Sequence, residues 1–168
     1  MGVKDHREAA AQATELACAV LTVSDSRSEA DDESGKAIRE RLTAAGFRVT
    51  RYRLLRNDLP AIQDEVMSLV ESRIACVVLT GGTGLGQRDV TVEALTPILD
   101  KRLNGFGEIF RSLSFAEVGP AAIMSRALGG LARRTLIFAL PGSTAAVTLA
   151  LERLILPELK HLVREARR

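Results

Sequence analysis

The stretch that most constrains this chain is a junction. An apolar run, Ala75-Cys76-Val77-Val78-Leu79-Thr80, passes straight into Gly81-Gly82-Thr83-Gly84-Leu85-Gly86, then Arg88-Asp89, and a helical pattern opens near Thr91-Val92-Glu93-Ala94. A short β-rich run bounded by glycines reads as a buried strand, and the segment after the glycines reads as a helix. Glycines at such a turn let backbone N–H groups come close to a ligand, and the helix start behind them favours an anion. The loop therefore reads as a seat for a phosphate-bearing or similar ligand, with Arg88 and Asp89 adding one charge of each sign. The alternative is a turn that needs glycine for steric reasons alone.

Known phosphate loops match only in part. Gly81 and Gly86 have P-loop spacing, but Gln87-Arg88 stands where that motif has Lys followed by Ser or Thr. The dinucleotide fingerprint fails too, because Gln87 occupies the place of its third glycine.

The rest of the chain alternates between strand and helix patterns. After a polar, alanine-rich leader (residues 1–14), residues 15–168 read as one domain. Its expected strands are Ala17 to Val23, Phe47 to Leu54, Ile74 to Thr80 and Leu136 to Leu140. Between them fall a helix capped by Ser34, with Ile38, Leu42 and Ala45 on one face and Gly46 at its end, and a helix from Asp58 to Val70 with Pro60 in its first turn. Further helices are expected from Thr91 to about Leu99, from Gly105 to Glu117, and from the Pro141-Gly142-Ser143 turn to about Glu165. This order predicts an α/β domain with helices on both faces of a mostly parallel sheet.

In such sheets ligands bind beyond the carboxyl ends of the strands. Ser24-Asp25, Asn57-Asp58, the Gly81 to Asp89 loop and Pro141-Gly142-Ser143 each follow an expected strand, so all four should share one edge, with Asp32 in reach. An edge carrying Asp25, Asp32, Asp58 and Asp89 repels bare phosphate. Magnesium bridging carboxylate and phosphate is one solution. A heterocycle whose parallel N–H groups pair with a carboxylate is another. Glycine backbone, carboxylates and an arginine together suggest phosphoryl or nucleotidyl transfer.

Several classes are excluded or disfavoured. A net charge of +2 does not argue for nucleic acid, and one tyrosine, five phenylalanines and no tryptophan argue against a base-stacking platform. With 46% hydrophobic and 26% charged residues the chain is globular. No apolar run reaches membrane-spanning length and the leader has no signal-peptide core, so a soluble, cytoplasmic protein is expected. Cys18 and Cys76 read as buried neutral thiols. His6 and His161 lie near opposite ends of the chain, too few and too far apart for a zinc site or a catalytic triad.

Taken in order, Leu21-Thr22-Val23-Ser24-Asp25, Asp32-Glu33-Ser34-Gly35, Thr80-Gly81-Gly82-Thr83-Gly84, Arg88-Asp89-Val90-Thr91, Gly105-Phe106-Gly107-Glu108, Ser125-Arg126 and Pro141-Gly142-Ser143 form an ordered set. It resembles the molybdenum cofactor biosynthesis family that includes the MoaB and MogA proteins and the gephyrin G-domain. The likeness runs from about Ala17 to the C-terminal helix. The polar leader and the short Asp25 to Asp32 loop are more similar to the MoaB branch.

The resemblance implies a three-layer α/β/α fold assembled as a homotrimer or a dimer of trimers. It implies molybdopterin as substrate, and in adenylyltransferase members attack of its terminal phosphate on Mg-ATP, with release of pyrophosphate. Magnesium and ATP as co-substrate would then be required, with no permanently bound cofactor, and a molybdenum-insertion enzyme becomes a candidate partner. Asp89 would be a functional aspartate and Asp58 another, both candidate magnesium ligands, with Leu59-Pro60 departing from the family's usual polar pair. Ser24, Asp25, Asp32, Ser34, Gly81, Gly82, Thr83, Gly84, Arg88, Ser125, Arg126, Pro141, Gly142 and Ser143 would bind substrate. The alternative is a binding protein or scaffold of the same pathway without transferase chemistry. Two apolar stretches, the C-terminal helix (Val147, Leu151, Leu154, Ile155, Leu159, Leu162, Val163) and Gly105 to Phe110, are candidates for the oligomer contact or for the core.

Overall fold

A computed structural model describes residues 16–168; the polar leader lies outside the described residues. The elements are β1 (Ala17–Val23), α1 (Glu33–Ala44), β2 (Arg48–Leu55), α2 (Leu59–Glu71), β3 (Cys76–Thr80), α3 (Thr91–Leu95), β4 (Lys101–Arg102), α4 (Asn104–Val118), β5 (Leu128–Ala132), β6 (Thr135–Leu140), α5 (Thr144–Ala150) and α6 (Leu156–Arg167). A six-stranded sheet runs in the order β2-β1-β3-β6-β5-β4. The first four of these strands are parallel, and β5 and β4 complete an antiparallel margin.

Both faces of the sheet are buried, which is why its strands read as continuous apolar runs. Side chains alternate between the faces. Cys18, Val20, Cys76, Val78, Leu136 and Phe138 pack with Ile38 and Leu42 of α1 and with the C-terminal helix. Ala19, Leu21, Val77, Leu79 and Ile137 pack with Ile62 and Val66 of α2 and with Leu95 of α3. The expected three layers are present.

The local differences have identifiable causes. Asp32, not Ser34, caps α1: its carboxylate accepts the Gly35 N–H at 2.9 Å. Ser34 sits inside the first turn, buried, and donates to the Gly142 carbonyl at 2.8 Å. Ala45, expected on the buried face, is the exposed C-cap, and Gly46 follows with φ +83°. Helix α3 stops at Leu95 instead of Leu99. Pro97 disfavours helix in the residue before it and has no N–H to continue the ladder. Strand β5 is absent from the pattern of the sequence because Gly129-Gly130 weakens any strand signal, and β4 because it is only two residues long. Those glycines admit close packing: a Cβ on Gly130 would lie 2.7 Å from both Leu99 and the Lys101 carbonyl.

The C-terminal helix continues from α5 into α6 through a π turn at Leu151–Ile155, in which the Leu156 N–H donates to the Leu151 carbonyl. Pro157 comes directly after it, and without an N–H it cannot close an α-helical bond back to Arg153. Most of the two stretches considered for an oligomer contact packs into the monomer, with Ile109 left exposed. Val147, Leu151, Ile155, Leu159 and Val163 are buried, as is Phe110, and Phe106 packs on Phe138 with ring centroids 5.0 Å apart.

Edge strand β2 is pinned to α2 by a buried carboxylate. Glu65, 8% exposed, accepts from Arg51 Nε at 3.0 Å and Arg53 Nη1 at 2.6 Å. Burial opposes its ionisation, but the hydrogen bonds from the two arginines outweigh that and hold its pKa below the ordinary glutamate value. With a depressed folded pKa, the stabilisation is complete above the unfolded value of about 4.3 and is lost as pH falls through the lower folded value. Glu65→Gln should lower stability at pH 7 by about 1 kcal/mol, a modest figure because both arginines are half exposed. In thermal scans the gap between the two proteins should close below about pH 4. A gap independent of pH would show that the charge is not what stabilises.

Candidate functional site

Beyond the carboxyl ends of β1, β2, β3 and β6 lies a cleft of about 670 Å³. Ser24 and Asp25, Asn57, the Gly81–Gly84 backbone with Arg88 and Asp89, and Pro141–Ser143 line one side. Phe110, Val118, Ala122 and Met124 give the lining an apolar wall, with Ser114 and Glu117 among them, and Ala146 and Leu149 extend it next to Ser143. Of the four segments expected at this edge, all four reach it.

The glycine loop is bare first because the chain packs on itself. Gly81 has φ +91°, its N–H donates to the Leu140 carbonyl at 3.0 Å, and a Cβ there would lie 2.2 Å from the Val23 carbonyl oxygen. Gly82 has φ +64°, and its Cβ would meet Thr91 Oγ1 at 2.4 Å and Asn57 Oδ1 at 2.5 Å. Thr91 closes the turn, its hydroxyl donating to the Gly81 carbonyl at 2.8 Å and its N–H to the Gly82 carbonyl at 2.9 Å. A valine at Gly82 would therefore clash with the protein before it met a ligand.

Asp89 is not a helix cap. Its carboxylate turns back under the loop, accepting the Gly86 N–H at 3.1 Å and lying where a Cβ on Gly84 would approach it to 2.6 Å. Asp25 Oδ1 accepts the Asn57 N–H at 3.0 Å, and Oδ2 pairs with Arg88 at 3.2 Å. The Asn57 backbone hydrogen bond, aided by Arg88 and Arg56, holds the Asp25 carboxyl below its usual range, so Asp25 is ionised at neutral pH and paired with Arg88.

Both the chain and its fold have known counterparts. Residues 19–161 match a family described as a probable molybdopterin binding domain. The molybdenum cofactor biosynthesis protein B of Bacillus subtilis (strain 168) is 45% identical, over 100% of this chain and 99% of its own. The chain belongs to the molybdenum cofactor biosynthesis family. A crystal structure of a molybdenum cofactor biosynthesis protein B superposes with a TM-score of 0.89 at 44% identity, covering 94% of this chain and 99% of that one. The tungsten cofactor synthesizing protein MoaB from Pyrococcus furiosus gives 0.84 at 35% identity, covering 93% and 99%.

Within this family member, the residues singled out in the sequence divide into two groups. Ser24, Asp25, Gly81–Gly84, Arg88, Asp89, Ser125 and Pro141–Ser143 line the cleft, whereas Asp32, Ser34, Asp58 and Arg126 do not. Arg126 holds the loop from behind, donating to the Thr83 carbonyl at 3.1 Å and the Asp89 carbonyl at 3.3 Å, and pairing with Glu93. The hydrogen bond from Arg126 keeps the Glu93 carboxyl below its ordinary pKa. Asp32 is buried, with Tyr52 donating to it at 2.7 Å; burial and this bond push the Tyr52 phenol upward.

Asp58, expected beside Asp89, is exposed and caps α2, accepting the Ala61 N–H at 2.8 Å. Its neighbour Asn57 takes the place in the cleft wall, with Oδ1 buried and unpartnered. Asp58→Asn should shift stability by less than about 0.5 kcal/mol, since asparagine caps as well as aspartate, and should leave ligand affinity unchanged. Calorimetry showing a large loss of affinity would return Asp58 to the site. Sequence reasoning placed Asn57 at this edge but gave the role to Asp58, and it missed Arg27 and the apolar wall. The exposed tail of α4 carried a signal for the last, with Phe115 and Val118 apolar where a solvent face should be polar.

Among the described residues no group of three or more His, Cys, Asp or Glu could hold a metal by itself. Magnesium needs less, one or two carboxylates together with substrate phosphates. Asp25 and Asp89, in one cleft, fit that requirement. Cys18 and Cys76 face each other across β1 and β3, fully buried; the Cys18 contact and burial raise the Cys76 thiol, leaving it unreactive. No helix of the described residues is long and apolar enough to cross a membrane.

Proposed function

We propose that this protein binds molybdopterin in the cleft and adenylylates its terminal phosphate with Mg-ATP, within molybdenum cofactor biosynthesis. The observation that carries the reading is the cleft's division into a polar glycine floor with Asp25 and Asp89 and an apolar wall around Phe110, Val118 and Met124. A pterin with a phosphate tail has the matching halves: a flat ring system for the wall, N–H groups for a carboxylate, and an anion for the loop. In the reaction a phosphate oxygen of molybdopterin bonds to the α-phosphorus of ATP as the α–β bridging bond breaks and pyrophosphate leaves. Magnesium, when bound, supplies neutralisation of the phosphate charge. Asp89 and Asp25 would hold it, and the loop backbone would position the reacting groups.

A second reading, a molybdopterin-binding scaffold that presents its ligand to a molybdenum-insertion enzyme, draws support from Asn57. The cleft has an amide at the place expected for a second functional aspartate, and so fewer ligands for a metal. Incubation with molybdopterin, ATP and magnesium separates the two. Pyrophosphate release supports the transferase, binding without release supports the scaffold, and absence of molybdopterin binding overturns both.

The apolar residues left exposed lie elsewhere than the C-terminal helix. Phe115 and Val118 of α4 and Ile123 and Met124 of the following 3₁₀ turn are 59%, 59%, 86% and 54% exposed, and Ile109, on the other side of α4, is 52% exposed. Monomers seldom leave such a face to water, and homo-oligomers favour closed symmetry. Assembly as a homotrimer or a dimer of trimers through this face is the expected state. Light scattering at micromolar concentration that returns a mass near the 18.1 kDa of one chain would refute it.

A further inference from the structure

We infer that Arg27 is the cation that grips the ligand's phosphate in this cleft, an assignment that rests on the molybdopterin-binding reading above. Arg27 lines the cleft beside Ser24 and Gly142. Its guanidinium is mounted on one side only. Nη2 donates to the Gly142 carbonyl at 3.1 Å, and Nη1 stands 3.5 Å from Ser34 Oγ and 3.8 Å from Asp32 Oδ1. An arginine has five N–H donors, and these contacts leave several of them for a ligand, on a side chain 36% exposed.

The other arginines near the loop are committed. Arg88 is 80% exposed and paired with Asp25 at 3.2 Å. Arg126 is outside the cleft and spends its donors on Glu93, Thr83 and Asp89. Among the described residues, Arg27 is thus the one cleft arginine whose nearest carboxylate has both oxygens hydrogen-bonded to other groups. Asp32 does not depend on it: Oδ1 already accepts the Gly35 N–H at 2.9 Å and Oδ2 the Tyr52 hydroxyl at 2.7 Å. Gly35 makes room for that carboxylate against the helix, since a Cβ there would lie 2.1 Å from Asp32 Oδ2. The Gly142 carbonyl likewise keeps the Ser34 hydroxyl at 2.8 Å if Arg27 is removed. Arg27 is redundant for holding the fold, while a fixed, buried carboxylate keeps its head at the cleft wall.

A phosphate in the cleft can come from the pterin or from the nucleotide, and guanidinium recognises both in the same way. The test is calorimetric titration of molybdopterin, dephosphorylated molybdopterin and ATP into the unaltered protein and into Arg27→Gln and Arg27→Lys. The expected result is about a tenfold to a hundredfold weaker affinity of Arg27→Gln for a phosphate-bearing ligand. Affinity for dephosphorylated molybdopterin should be unchanged, and Arg27→Lys should recover part of the loss. Loss with molybdopterin places Arg27 on the pterin phosphate, and loss with ATP alone places it on the nucleotide. Equal loss for phosphorylated and dephosphorylated molybdopterin would mean a structural role, and unchanged affinity for every ligand would mean none; either overturns the inference. Failure of the unaltered protein to bind any of the three overturns the functional reading and this inference with it.

Discussion

Asp89→Asn is expected to fold normally and to lose about a hundredfold or more of its pyrophosphate release. Asparagine keeps an oxygen for the Gly86 N–H, so the loop retains the contact that Asp89 makes in it. What it removes is the charge beside the glycine floor, where a phosphate with its magnesium would sit. Asp89→Ala is the less informative variant, because it also frees the Gly86 N–H and lets the loop rearrange. Equal melting temperatures with collapsed turnover would place Asp89 in the chemistry. Unchanged turnover in a folded Asp89→Asn protein would reduce it to a loop brace and favour the scaffold reading.

Gly81→Ala should be among the most destabilising single changes available. Two independent effects act on one methyl group. A non-glycine residue at φ +91° is strained by about 1–3 kcal/mol, and the Cβ would sit 2.2 Å from the Val23 carbonyl oxygen, a backbone atom of β1 that cannot swing aside. Overpacking of that kind costs about 1–3 kcal/mol more. At about 2–4 °C per kcal/mol for a chain of this size, the melting temperature should fall by roughly 10 °C. Gly46→Ala is the control. It shares a positive φ, +83°, but nothing lies within 4 Å of its Cβ, so a loss as large as that at Gly81 would mean that strain rather than contact dominates.

Much of this organisation is legible in the sequence because it comes from period and polarity. Strands β1, β3 and β6 are buried on both faces and announce themselves as apolar runs, and the residues just after them meet at one edge because parallel strands end together. The illegible parts depend on direction or distance. Asn57 and Asp58 lie in a tight turn after β2, where the Asp58 N–H donates to the Arg56 carbonyl at 2.8 Å, so the turn and not a strand's alternation decides which of the two enters the cleft and which caps the helix. Arg27 acquires its mount from Gly142, 115 residues away, which no local pattern encodes. The hairpin of β5 and β6 is hidden by Gly129-Gly130, whose value lies in what they let approach.

The π turn at Leu151–Ile155 has a consequence for how the C-terminal helix is read as a code. Its buried positions include a series, 147, 151, 155, 159 and 163, that recurs every four residues. On an uninterrupted α-helix a strict four-residue repeat creeps around the axis by about 40° per step, since each turn takes 3.6 residues. Over this length the creep would carry the last members of the stripe away from the sheet. The wider π turn takes back part of the rotation midway, so Leu159 and Val163 still face the core that Val147 faces. The helix therefore behaves like a vernier with one reset: deleting a single residue between Leu151 and Ile155 would exchange the π turn for an α turn and leave α6 facing the same core, whereas the same deletion inside α6 would swing everything after it by about 100°.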